Sequence, residues 1–160
     1  MDAVYLYNNG SKSLLASTAS EEHPIVYHKL ALKLGECGDM ELKLLSSDSN
    51  LDAIKPLVSE IAFERNGAEM FRGEAVIPEN DGSMADAITV KGALNYLGRV
   101  LVPPHNYRGT IDGYVRYIIG VYNNGVDQYH KIQPGVIRLN NYDDTESVQK
   151  WSNEYEYALD

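Results

Sequence analysis

The chain has 160 residues, the size of one ordinary domain, and its 44% hydrophobic and 23% charged content is that of a sequence that folds rather than one that stays disordered. Fourteen Lys and Arg against 23 Asp and Glu leave a net charge of -9, a field that opposes binding to a phosphate backbone, so no nucleic-acid partner is expected. A single cysteine, Cys37, excludes an internal disulfide and any multi-thiolate zinc site, and no run reaches the roughly 18 apolar residues that a membrane span needs.

In chain order, the first half reads as hairpins. Asn9-Gly10, Asn66-Gly67 and Asp81-Gly82 each supply residues that accept positive φ between strand-like stretches. The flanks are Val4 to Tyr7 and Leu14 to Ala16 around the first pair, and Ile61 to Glu64 and Met70 to Ile77 around the second. Residues 25 to 34 fit period two through Val26, His28, Leu30, Leu32 and Leu34, and also fit a helix in part; a strand is expected. Met40, Leu42 and Leu44 alternate with Glu41 and Lys43, which puts a core face and a wet face on one strand. Leu51 to Leu57 and Ala93 to Leu97 read as single helical turns, and Ala87 to Lys91 alternates again, with Ile88 and Val90 inward.

The period then changes. Pro103-Pro104 forces an extended crossing, and Ile111, Tyr114, Val115, Ile118 and Tyr122 fall on one stripe of a helix over 111 to 122. Thr110 stands as its N-cap, Asp112 suits the positive end of the dipole, and Asn123-Asn124-Gly125 offers a left-handed stop. Gly113 and Gly120 inside it predict close packing on a sheet, and Val136 to Leu139 returns to strand. Residues 142 to 160 hold six acids against Lys150 alone, and Ala158-Leu159-Asp160 reads as the start of a helix without a stop, as in a segment of a longer protein.

Candidate chemistry is sparse. His23, His28, His105 and His130 show no i, i+4 pairing of a helical metal site, so no metal is expected. His105 is a candidate general base by its setting after the double proline, but no nucleophile stands near it and a loop position is the expectation. Cys37 is flanked by Glu36 and Asp39, the wrong field for a reactive thiolate. Glu79-Asn80-Asp81-Gly82-Ser83 lacks the closing bidentate Glu of a calcium loop and reads as a turn; Asp143-Asp144-Thr145-Glu146 reads as a helix start. There is no phosphate loop, no nucleophile elbow and no distinct carboxylate pair, so neither an enzyme nor a cofactor is expected. Twelve Tyr against two Phe and one Trp favour half-exposed rings, as on protein-binding or sugar-binding surfaces, although Tyr is also a common strand residue.

Three pieces in fixed order carry a resemblance: Phe71-Arg72-Gly73-Glu74-Ala75-Val76, then Thr89-Val90-Lys91-Gly92-Ala93-Leu94-Asn95-Tyr96-Leu97, then Val102-Pro103-Pro104-His105-Asn106-Tyr107-Arg108-Gly109. Together they resemble the N-terminal region of phage and prophage tail proteins of the minor structural protein, prophage endopeptidase tail or tail-associated lysin family, over most of residues 1 to 140. Lys91 stands where the family usually has Glu, and Val90 where Cys is frequent. The resemblance implies a mainly β (α+β) fold: a barrel-like antiparallel sheet domain with one packed helix, like a phage baseplate hub. It implies a β-rich domain over 1–141 and, over 142–160, the acidic start of a truncated inserted domain. The implied motif positions are Phe71, Arg72, Gly73, Gly92, Leu94, Tyr96, Leu97, Pro103, Pro104, Tyr107 and Gly109, all structural. The implied role is a trimeric ring in the virion tail, between tube and tip, with itself and neighbouring tail proteins as partners and no lytic domain in this chain. A carbohydrate-binding host-adhesion module is the alternative reading.

Overall fold

The computed structural model describes residues 1–33, 36–76, 84–135 and 147–158. The chain divides into two compact units, Met1–Asn95 and Tyr96–Asp160.

The first unit is one antiparallel sheet of β1 (Asp2–Asn8), β2 (Ser11–Ser17), β3 (Tyr27–Ala31), β4 (Asp39–Leu45), β5 (Glu60–Arg65), β6 (Ala68–Ala75) and β7 (Ala85–Gly92), in the order β2-β1-β5-β6-β7-β4-β3. Two of the three expected Asn-Gly or Asp-Gly hairpins are present as read. Asn9 and Gly10 have φ of 49° and 81°, and Asn66 and Gly67 have 52° and 78°, the mirror-image turn whose twist matches that of the strands. The third, Asp81-Gly82, and the adjoining Glu79–Ser83 stretch lie outside the described residues. The strand expected over 25 to 34 is shorter, Tyr27–Ala31, pairing with β4 from Tyr27 opposite Lys43 to Ala31 opposite Asp39, with Val26 and Leu32 exposed beyond its ends. Met40, Leu42, Leu44, Ile88 and Val90 are fully buried, as their alternation requires. The helical turn expected over Leu51 to Leu57 is instead a 3₁₀ turn over Ser49–Ala53, capped by the Asp48 carboxylate accepting from the Asn50 N–H.

One core cluster takes side chains from all seven strands, with Leu15 of β2 fully buried and Leu30 of β3 packed against it. In a flat sheet those two edges would lie about 29 Å apart, at about 4.8 Å per step. The sheet is therefore strongly rolled, and other contacts agree: Asp2 of β1 lies 3.4 Å from the His28 ring of β3, which sits 5.1 Å from the Phe63 ring of β5. The expectation of a barrel is corrected in one respect, because β2 and β3 do not pair and the sheet stays open. Other groups have taken the edge. The Asn50 side chain donates to the Leu14 and Leu15 carbonyls of β2, and the Ser17 N–H donates to the His23 carbonyl at 2.9 Å. A bulge beside Val4 also turns Leu15 inward and leaves Leu14 exposed.

The second unit contains β8 (Leu101–Val102), β9 (His105–Gly109), helix α2 (Ile111–Asn124), β10 (Val148–Ser152) and β11 (Glu156–Tyr157); the short α1 (Leu94–Leu97) spans the boundary between units. β9 pairs with β10 and β8 with β11, both antiparallel. The two ladders form one ribbon interrupted at Pro103-Pro104, which have no N–H to donate. Across the break Ser152 is opposite His105 while Glu156 is opposite Val102, so three residues on one side face two on the other. Within 147–158 the chain forms β10 and β11, because β9 and β8 offer it edges to pair with, and the expected helix start at Ala158-Leu159-Asp160 runs into residues outside the described ones. Val136 to Leu139 and Asp143 to Glu146 lie outside the described residues.

Helix α2 starts as read, with the Thr110 hydroxyl accepting from the Gly113 N–H at 3.1 Å and Asp112 bound to Arg116. Its end differs. Gly125 has φ of -99°, not a left-handed value; its N–H reaches the Tyr122 carbonyl and tightens the last turn. Asn123 then holds the returning chain through two 2.8 Å hydrogen bonds with the Ile132 backbone. Ile118 and Tyr122 of the expected stripe are buried and Ile119 joins them, whereas Ile111, Tyr114 and Val115 are half-buried.

The two helix glycines separate. A Cβ on Gly113 would lie 2.2 Å from the Tyr107 hydroxyl, but one on Gly120 would meet nothing within 4 Å, so close packing explains only the first. Gly120→Ala is therefore expected to stabilise the protein by about 1 kcal/mol and Gly113→Ala to destabilise it. Paired urea melts check the opposite signs.

Candidate functional site

The motif positions fall into two clusters, one in each unit. In the first, Gly73 of β6 pairs directly with Gly92 of β7. A Cβ on Gly73 would sit 2.1 Å from the Lys91 carbonyl oxygen, and one on Gly92 would sit 1.9 Å from that of Cys37. The segment at Cys37 and Gly38 thus lies against bare backbone, tied by the Gly92 N–H donating to the Gly38 carbonyl at 3.0 Å. Gly38 itself is left-handed, φ 73°, and the Phe71 ring closes the junction beside both Gly38 and Gly92. Cys37 contributes its carbonyl here. Lys91 is clamped to Asp39 at 2.6 Å, and that carboxylate's hydrogen bond holds the lysine above its usual pKa.

Arg72 belongs to the outer face. Its guanidinium lies 4.1 Å from the Tyr7 ring centroid and binds Glu69 at 2.5 Å, while Lys12 lies 3.8 Å over Tyr5 and 2.6 Å from Glu64. At the end of β1 the Arg65 guanidinium grips the Asp2 carboxylate and holds it below the usual carboxylate range.

In the second unit, the Tyr107 ring folds back over Gly109 and Gly113, and its hydroxyl donates to the Thr110 carbonyl at 3.1 Å. The aromatic-x-Gly motif is thus a latch on the start of α2. Around it His105, Tyr107, Tyr114 and Tyr117 form an aromatic cluster with centroids 5.2 to 6.2 Å apart. Both His105 nitrogens are engaged: Nδ1 lies 3.1 Å from the Pro103 carbonyl and Nε2 3.2 Å from the Tyr114 hydroxyl. That pattern fits a proton on Nδ1 and a packing role at the start of β9, not the expected loop. Burial, with lesser help from Glu156 and Tyr117, raises the Tyr114 phenol above its usual pKa. Tyr96 is buried and stacks on Tyr122 at 5.9 Å. Leu94 is exposed, Leu97 half-buried, and Pro103 and Pro104 make the break in the ribbon.

The other histidines go elsewhere, His23 to Asp48, His28 to Asp2 and His130 to Asp127. Among the described residues no three of His, Cys, Asp and Glu converge on a metal-sized site. The clusters are built to hold backbone segments together, and their chemistry is packing and hydrogen bonding.

No family model matches the chain, and no curated protein does. Among solved structures it is similar to the 43 kDa tail protein of prophage MuSo2 from Shewanella oneidensis, with a TM-score of 0.55 and 11% identity over 97% of this chain and 47% of that one. The chain has the fold of a prophage tail protein. It spans about half that protein's length, and at 11% identity the likeness is one of fold.

Tyr114, Tyr117, Gly38 and the exposed Trp151 are absent from the expected motif positions, and His105, expected as a loop residue, joins the two tyrosines. The helix spacing of Tyr114 and Tyr117 opposite strand residues His105 and Tyr107 is the signal that points to this cluster.

Proposed function

We propose that the chain is a structural component of a phage or prophage tail, a subunit of a ring between tail tube and tip. The carrying observation is the fold shared with a tail protein along 97% of the chain. The placement of the motif glycines and Tyr107 at backbone junctions supports a structural role, and the reading assigns no catalysis. Its partners are further copies of itself, three in the assembled ring, and neighbouring tail proteins; its location is the virion tail.

Sedimentation velocity tests the reading. A stable contact buries about 1,600 Å² in total, and copies that each carry -9 repel one another, so the 160-residue chain is expected to be monomeric or weakly associated at micromolar concentration. A longer protein that continues past Asp160 is expected to sediment as a trimer. If that longer protein is monomeric, the ring reading falls.

A further inference from the structure

The ribbon of the second unit has two faces of different character. His105 and Tyr107 of β9 turn their rings to Tyr114 and Tyr117 of α2. Strand alternation puts their neighbours on the opposite face, in two successive rungs: Arg108 opposite Gln149, and Asn106 opposite Trp151. All four are exposed, and Trp151, the chain's single tryptophan, is 65% exposed. Gln149 Nε2 lies 3.4 Å from Asn106 Oδ1, a contact that orients both amides beside the indole. Neither rung carries a carboxylate, although the chain as a whole is strongly acidic. Two further rings of the same segment are exposed, Tyr155 at 67% and Tyr157 at 52%.

We propose that this face binds a glycan, with one pyranose ring lying on Trp151 and its hydroxyls held by Asn106, Gln149 and Arg108. The argument is complementarity. A protein partner's anchor sits in a well-packed pocket from which its surroundings exclude water. Here three of the four outward side chains are planar hydrogen-bonding groups and only one is apolar. A pyranose matches that mixture, because it presents a C–H face to the indole and equatorial hydroxyls at its rim. Adjacent hydroxyls suit the paired donors and acceptors of an amide and the fork of a guanidinium. Tyr155 and Tyr157, on the same segment, offer rings to further units of an oligosaccharide.

Trp151 is its own reporter, since no other residue contributes indole fluorescence. The 160-residue chain is screened on an array of bacterial and plant oligosaccharides, and each bound glycan is titrated while Trp emission is followed. A saturable shift of emission is expected with at least one oligosaccharide. Asn106→Ala, Gln149→Ala and Arg108→Ala, which keep the indole, are each expected to weaken it about tenfold with an unchanged circular dichroism spectrum. An empty array, or binding that these three variants leave unchanged, overturns the proposal. So does a blue shift that grows with protein concentration in the absence of sugar, which assigns the face to a second copy of the chain. An empty array or unaffected variants leave the sedimentation test of the tail reading untouched, whereas the concentration-dependent shift would be seen in that test as self-association of the short chain.

Discussion

Gly92→Ala is expected to cost about 3 kcal/mol or more, although the same change in an ordinary strand stabilises by limiting the unfolded chain. The added methyl would stand 1.9 Å from the Cys37 carbonyl oxygen and 3.2 Å from the Phe71 ring. The first obstacle is backbone, not the end of a flexible side chain, and it is held in place by the Gly92 N–H bond to Gly38 and by the Asp39 to Lys91 pair. Relief means lifting the Cys37–Gly38 segment, which breaks that bond and uncovers Phe71. Gly73→Ala is expected to behave alike, its methyl falling 2.1 Å from the Lys91 carbonyl. Gly67→Ala separates this steric cost from backbone strain: Gly67 has open space but a φ of 78°, so its smaller loss measures strain alone. In urea melts the Gly92 variant should lose more than about 1 M in midpoint. A loss below about 1 kcal/mol would show that the Cys37–Gly38 segment yields freely and that the paired glycines have another reason.

These glycines show where sequence reading stops. Gly73 and Gly92 are visible as motif positions, but what excludes a side chain is a carbonyl brought in from residue 37 or 91, and no local pattern announces it. The hairpins and β4 were legible because their determinants are local: Asn-Gly pairs set the turn, and Met40, Leu42 and Leu44 alternate with charges. The openness of the sheet was not, since it depends on Asn50 reaching carbonyls 35 and 36 positions earlier. β10 was hidden for another reason. Lys150 and Ser152 share the side opposite Trp151, so its alternation carries no apolar face and its acidic surroundings read as a helix start. The helix stop misled because Gly125 closes the turn by a short-range bond, where the left-handed route was equally open to a glycine.

The helix stripe gives the second large effect. Ile118 is 7% exposed on α2, flanked by buried Ile119 and one turn before buried Tyr122, which stacks on Tyr96 and donates to the His130 carbonyl. Ile118→Ala removes three buried carbons and leaves a space that a helix held at both ends closes poorly. The Thr110 cap and Tyr107 latch fix its start, and the Asn123 bonds to Ile132 fix its end. A loss of about 2 to 5 kcal/mol is expected, the range for a buried aliphatic truncated to alanine. Ile111→Ala and Val115→Ala, on the same stripe but half-buried, are expected to cost less than half as much, because part of each side chain is already in water. The order of the three in urea melts is the check, since it follows burial along the stripe rather than side-chain type. If Ile118→Ala costs less than about 0.5 kcal/mol, the stripe is not the face that α2 packs; equal losses at all three positions would point to general helix weakening instead of a packed interface at the C-terminal half.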